Sequence, residues 1–296
     1  MIDNKYDFVV LFSVKNANPN GDPLNGNRPR INNDGIGEVS DVCIKRKIRN
    51  RMTHLGYDIL LQSNDDKIDG YNSIKDRVEG NLGKEVLSEK SDLNILKEES
   101  CKKWIDVRSF GQVFAIGKKE KNKDDNGGKK NEKGTSLGIR GPVSLHSAFS
   151  IEPINITSIQ ITKSLNNQES KNIKAADTMG MKHRVDFGLY KFAGSINPQL
   201  ASKTGFSDED VEVVKKSLIE LFEDDASSAR PDGSMEVINV YWWKHNNQTG
   251  QYSSAKVHNS LKVYRKNQDI EAKDVNDYVI ELSNLEGLEC NVIEGK

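Results

Sequence analysis

The sequence lacks most of the features that announce a compartment or a chemistry. Cysteine is scarce: Cys43, Cys101 and Cys290 form an odd, widely spaced set without a CxxC pair. That set argues against both a disulfide framework and a thiolate metal site, and the cytoplasm is the expected compartment. Long apolar runs are missing too. The short one in "MIDNKYDFVVLFSV" cannot span a bilayer and has no leader-like organisation, so no membrane partner is expected. Neither sign of charge is in excess, with 43 Lys and Arg against 44 Asp and Glu. Any polyanion would therefore have to be held by a local patch. No GxGxxG follows the first apolar run, and GxxxxGK[ST], HExxH and GxSxG are all absent. The histidines, His54, His146, His183, His245 and His258, stand at no ligand spacing, so neither a metal nor a cofactor is expected.

What is present is a polar chain of 296 residues with a mean hydropathy of -0.67, long enough to bury a sizeable core. Tyr6, Phe8, Val10, Phe12 and Val14 alternate on one face, while Val9 and Leu11 make the other face apolar as well. That double pattern predicts a central strand over about 5–14. A punctuated loop, "NANPNGDPLNGNRPR" at 16–30, comes next, and then "SDVCIKRKIRNRMTHLGY" shows apolar residues at helical spacing. Ser40 or Asp41 is the expected cap. Between Lys45 and Arg51 this helix carries five basic residues and no acid. On an arbitrary helix such a run is a solvated face; directly after a Gly/Asn loop and a central strand it can also track phosphates.

Residues 62–82 read as polar and loop-rich, and a second helix is expected over about 84–103. Asp106 and Arg108 are embedded among apolar residues in "WIDVRSFGQVFAIG", a pattern that favours pairing or pinning of backbone. The stretch 118–134 contains no apolar residue and has seven Lys against four acids, so it is an excursion from the fold. Strands are expected around 143–151 and 158–163, with a turn at Glu152-Pro153, and a returning strand at 185–193. Between the last two lies a hairpin-like projection bearing Lys163, Lys171, Lys174, Lys182, His183 and Arg184, with Met179 and Met181 near its end. "SDEDVEVVKKSLIELFEDD" is the clearest helix, with a capping box from Ser207 and Asp210 and an acidic solvent face. "SMEVINVYWWKHN" reads as a final core strand.

The resulting order is compatible with an α+β fold of the ferredoxin-like or RNA-recognition-motif type, β-α-β-β-α-β, with large insertions. Strand and helix order alone leaves other α+β folds open. One carboxylate invites an enzymatic reading: Asp22, on a glycine-rich loop beside a basic helix, is placed to hold a divalent ion for phosphodiester cleavage. No second acidic ligand is apparent beyond Asp34 and Glu38, and the preferred reading is an Asx turn.

Six segments in order, "NPNGDP" at 18–23, "GNRPR" at 26–30, "DVCIKRKIRN" at 41–50, "DVRSFGQVF" at 106–114, "RGPV" at 140–143 and "MGMKHRVDFGLY" at 179–190, resemble the CRISPR-associated Cas-seven backbone family in its type I-C form, a subunit of the Cascade surveillance complex. The resemblance spans almost the whole chain. It implies a non-enzymatic RNA-binding protein shaped like a hand, a single elaborated domain over 1–296 with a modified RNA-recognition-motif palm. Insertions would fall at about 15–38, 56–103 and 117–137, with a thumb at about 163–184. Copies would polymerise head to tail along a CRISPR guide RNA and display it for pairing with target DNA, in company with the large, small and guide-end-processing subunits of Cascade.

By that likeness Lys45, Arg46, Arg49 and Arg51 would contact phosphates. Asn18, Asn20, Gly21, Asp22, Arg28 and Arg30 would line the guide's path. Met179 and Met181 would sit near the wedge of the thumb, with Lys163, Lys182, His183 and Arg184 near phosphate, and the 118–134 excursion would approach target DNA. Leu24 and Glu152 depart from the family pattern, which more often has an acid at the first position and Asp at the second. Related backbone subunits of type III complexes cleave RNA with a loop aspartate, which keeps the ribonuclease alternative at Asp22 in view. An assembly protein without nucleic acid is the third reading.

Overall fold

Two-sided burial of the first strand organises the chain. A computed structural model describes residues 2–64, 67–88, 92–116, 135–162 and 179–296. In chain order the elements are β1 (Tyr6–Ala17), β2 (Gly21–Asp22), β3 (Arg28–Pro29), β4 (Ile36–Val39), α1 (Asp41–His54), α2 (Ile74–Leu82), α3 (Leu93–Lys103), α4 (Ile105–Phe110), β5 (Gly111–Ile116), β6 (Thr135–Arg140), β7 (Val143–Leu145), β8 (Ala148–Pro153), β9 (Ile156–Thr162), β10 (Met179–Ile196), α5 (Pro198–Thr204), α6 (Asp208–Ile219), β11 (Met235–Lys244), α7 (Ser254–His258), β12 (Leu261–Arg265), β13 (Tyr278–Leu282) and β14 (Cys290–Glu294). The fold is α+β, built on one large antiparallel sheet ordered β14-β11-β1-β10-β8-β4, with β7 and β9 also paired to β10.

On one face, Phe8, Val10, Phe12 and Val14 of β1 pack with Ile44, Ile48 and Met52 of α1 and with Val211, Val214 and Leu218 of α6. Ser40 caps α1 and accepts a hydrogen bond from the Cys43 N–H. Ser207 and Asp210 form the expected capping box of α6. On the other face, Val9, Leu11, Tyr241 and Trp243 pack against Val257, Leu261 and Leu288. Leu189 continues this face under Ala272 and Tyr278. The segment from α7 to β13 is therefore a cover over the back of the sheet, and Tyr241 and Trp243 of β11 lie under it.

Several local expectations need correction. The stretch 62–82 is not simply loop: its last nine residues form α2, and Ser73 caps it, accepting from the Asp76 N–H. The helix expected at 84–103 begins only at Leu93, where Asp92 supplies the cap. Glu152 and Pro153 close β8 rather than making the turn, which falls at 154–155. The returning strand starts at Met179, six residues before the expected 185, because the antiparallel partner β9 extends the ladder. Helices α2 to α4 and the β5–β6 hairpin build a second core around Leu60, Val78, Leu96, Trp104, Val107 and Phe114. Asp106 and Arg108 do not pair with each other. Asp106 accepts from Arg49 and from the Leu60 and Leu61 N–H groups, while Arg108 makes a bidentate pair with Asp210. These two side chains tie the second core to α1 and α6.

A buried polar group fastens the back cover. Asp7 is fully buried on β1, its Oδ2 2.8 Å from His245 Nε2 and 3.2 Å from Lys5 Nζ, its Oδ1 3.3 Å from His258 Nε2. The Gln251 N–H donates to His245 Nδ1, so Nε2 carries the proton that Asp7 accepts. Burial pushes the Asp7 carboxyl up, but hydrogen bonds from His245, His258 and Ser254 and the charge of Lys5 outweigh it and hold the group well below the usual carboxylate range. A carboxyl depressed on folding contributes stability that is present above its unfolded pKa of about 4 and is lost as pH falls below it. Asp7→Asn is expected to lower unfolding free energy by about 3 kcal/mol at neutral pH. It should also flatten the acid limb of stability between about pH 5 and 3 in urea titrations; an unchanged limb would refute the assignment.

Candidate nucleic-acid interface

The loop after β1 is a closed, rigid turn. The Asn18 N–H donates to the Ala229 carbonyl at 2.9 Å, and Asn18 Nδ2 to the Asn27 carbonyl at 2.8 Å. β2 and β3 pair Gly21 with Pro29 and Asp22 with Arg28. Asp22 caps a short 3-10 turn, Pro23–Asn25: its Oδ1 accepts from the Leu24 N–H at 3.2 Å, and Arg30 Nη2 lies 3.6 Å away. A Cβ at Gly21 would stand 2.0 Å from Asn27 Oδ1, so a side chain there would displace the Asn27 amide. The run of Asn, Asp, Gly and Pro in the sequence is thus turn chemistry.

Asn20 bolts this turn to the helix. Its Oδ1 accepts from both the N–H and the hydroxyl of Ser40 at 3.0 Å, and Ser40 Oγ accepts from the Cys43 N–H at 3.3 Å. The Asn20 carbonyl in turn accepts from the Arg30 N–H at 3.1 Å. Asn18, Asn20, Gly21, Asp22, Arg28 and Arg30 are therefore one structure, fixed to the first turn of α1.

The basic face of α1 divides into two halves. Arg49 Nε is 3.1 Å from the buried Asp106 Oδ2, and its guanidinium lies over the Phe110 ring. Arg51 forks onto Glu220 at 2.9 and 2.6 Å and reaches Asp224 at 2.9 Å. Lys47 is buried against Asp225, which also accepts from Arg230. Burial pulls the Lys47 ammonium below its ordinary value, and the Asp225 charge opposes that pull. Arg49 and Arg51, expected to contact phosphates, are both engaged with carboxylates from distant parts of the chain. Sequence could not reveal this, because those acids stand at positions 106, 220 and 224.

The first two turns of α1 differ. Lys45 pairs with Asp41 at the surface, Arg46 is exposed, and Lys47 and Arg230 also act on the nearby Cys43 thiol, which burial pushes up. Arg230 was not singled out from sequence; only its place in a polar turn after the acidic helix could have hinted at it. Arg28 is half-buried, and its side chain has no ion-pair or hydrogen-bond partner among the described residues. Arg30 shares Asp22 and remains 37% exposed.

The β9–β10 ribbon runs past the end of β1, since the β1 ladder stops at Ala17 opposite Val185. Cross-strand pairing puts Met179 with Thr162, Met181 with Gln160 and His183 with Ser158 on one face. Ile159 with Lys182, and Ile161 with Gly180, share the other. Met179 and Met181 are 61% and 54% exposed, and Lys182 is exposed as well. His183 is buried and its Nδ1 lies 2.8 Å from Ser158 Oγ, while Arg184 is half-buried. Lys163 and the rest of the projection to 178 lie outside the described residues, as does the lysine-rich stretch at 118–134.

Asp22 faces a backbone N–H and an arginine, which is the bonding of a turn former. Among the described residues no group of three His, Cys, Asp or Glu could hold a metal, and no helix is long and apolar enough to cross a membrane. With the sheet covered behind and helices in front, the β1 C-terminal end carries Arg46 and Lys182 as exposed cations and Leu24, Met179 and Met181 as exposed apolar side chains. There the turn, the first turns of α1 and the projecting ribbon offer charge and apolar surface together.

A family model described as CRISPR-associated protein Cas7 matches residues 4–283. The chain belongs to that family. A curated Cas7-family relative from Haloferax volcanii, "CRISPR-associated protein Cas7", is 24% identical over 217 residues, covering 71% of this chain and 61% of the relative. The chain thus spans about three fifths of that relative's length. Two solved structures also align. One, titled "CRISPR RNA-guided surveillance complex", gives a TM-score of 0.41 at 13% identity over 81% of this chain and 68% of that one. The other, "CRISPR RNA-guided surveillance complex, pre-nicking", gives 0.47 at 14% identity over 84% and 81%. At such scores they are likenesses only, and the family model is what places the chain.

In this Cas7-family chain the two kinds of arginine separate by stability. Arg51→Ala leaves Glu220 half-buried without its fork and is expected to cost about 2 kcal/mol. Arg28→Ala should stay within about 0.5 kcal/mol. Chemical denaturation of both variants checks the division, and equal losses would contradict it.

Proposed function

We propose that this chain is the guide-RNA-binding backbone subunit of a type I-C Cascade-like surveillance complex in CRISPR defence. The match of the Cas7 family model to nearly the full chain carries this reading. Copies assemble head to tail along the guide in the cytoplasm, beside the large, small and guide-end-processing subunits, and present the guide to target DNA. Sequence choice then belongs to base pairing, and the protein needs only phosphate and sugar contacts.

The palm is a modified RNA-recognition motif. Supporting this, the strand order β11-β1-β10-β8 with α1 after β1 and α6 after β10, both on one face, is the order of a β-α-β-β-α-β unit. The back of the sheet, where such motifs commonly stack bases, lies under the α7–β13 cover here. The guide therefore runs along the end of the sheet, over the Asn18–Arg30 turn and the first two turns of α1. Arg28, Arg30, Lys45 and Arg46 face its phosphates, and the β9–β10 ribbon is the stem of the thumb, with Met179, Met181 and Lys182 towards its tip. The subunit is not an enzyme: Asp22 shapes the turn and leaves the guide intact.

Reversing one contact tests the reading. Arg28→Glu is expected to weaken binding of unrelated RNA sequences alike, by about tenfold at moderate salt, and to lower the slope of log affinity against log salt by about one. Fluorescence anisotropy at several salt concentrations measures both; loss confined to one sequence would sink the phosphate role. Wild-type protein incubated with guide RNA and Mg2+ should leave the RNA whole. Cleavage abolished by Asp22→Ala would make the protein a ribonuclease instead.

A further inference from the structure

We infer that Leu24 is a wedge that inserts against the bases of the bound RNA strand. Leu24 is 98% exposed, the most exposed of the large hydrophobic side chains among the described residues, and it stands at the centre of an ordered turn. It is not a floppy side chain on a loose loop. Its own N–H is held by Asp22, the Asn27 N–H closes the turn onto the Asp22 carbonyl at 2.8 Å, and the turn is bonded through Asn20 to the cap of α1. Rigid presentation lowers the ordering cost of an insertion.

The surroundings select the partner. A protein interface needs several apolar side chains in one patch of some hundreds of Å2, whereas the turn neighbours of Leu24 are Pro23, Asn25, Gly26 and Asn27. A single aliphatic knob is the size of one base step, and leucine is among the side chains that wedge between bases. Phosphates on either side of such a step need cations, and Arg28 and Arg30 stand on the paired strand of the same turn. Amide side chains at Asn25 and Asn27 flank the knob with donors and acceptors for base edges or 2′-hydroxyls. The contact is indifferent to base identity, as every base has an apolar face.

This inference rests on the proposed RNA-binding role and adds a contact to it. The test places a photoreactive benzoylphenylalanine at position 24 in the protein assembled on an RNA of defined sequence, with 2-aminopurine reporting unstacking in a parallel set. Expected are crosslinks to RNA bases, recurring at one spacing along the strand. Leu24→Gly should return the 2-aminopurine signal towards that of stacked RNA, and Leu24→Met should keep it raised, with the salt slope unchanged in both. Crosslinks to a neighbouring protein copy, or an RNA-loaded assembly with no crosslink at position 24, would overturn the wedge while leaving the RNA-binding reading intact. A wild-type chain that binds no RNA would overturn both.

Discussion

Everything in this protein is arranged around a strand that is hydrophobic on both sides. Phe8, Val10 and Phe12 demand one cover, and Val9 and Leu11 demand another. A single layer of helices satisfies the first, and the segment beyond β11 satisfies the second. Each of those side chains, fully buried, contributes about 1.5–3 kcal/mol relative to exposure. With both faces spoken for, no broad surface of the sheet remains for a ligand. What stays open lies at the ends of the strands, where the backbone must leave the sheet and side chains are free to face outwards.

Charge follows the same logic. The α1 helix looks on paper like one basic stripe, yet its second half serves the fold. Arg49 anchors the second core through Asp106, and Arg51 locks α1 to the end of α6 through Glu220. Its first half, nearest the turn, keeps cations near the surface. Within this one helix, then, burial and ion pairing divide the cations into those that hold the fold and those left near the surface.

The main outlines were legible in the sequence because they rest on local signals. Alternation in 6–14 disclosed β1, helical spacing and Ser40 disclosed α1, and Ser207 with Asp210 disclosed α6. The turn at 18–30 was legible as a turn through its Asn, Gly and Pro content, and the Asx role of Asp22 with it. What escaped depended on distant partners: the Arg49–Asp106 and Arg51–Glu220 pairs, the placing of Arg230 beside Lys47, and the convergence of His245 and His258 on Asp7. The helix α2 escaped for a different reason. Its apolar content is sparse, and its stability comes from Val78 meeting the second core and from Arg77 reaching the Leu60 carbonyl and Asp69.

The cover over the back of the sheet also bears on how the protein is made. Tyr6 pairs with Lys244, and Val9 and Leu11 are sealed by residues at 257, 261 and 288, so the earliest strand acquires its closing contacts from some of the last. Contacts so distant along the chain make folding slow and leave apolar surface bare during synthesis. A ribosome that stalls after β11 releases a product whose sheet is still open behind. Such a product leaves Val9, Leu11, Tyr241 and Trp243 facing water, an apolar face that favours aggregation.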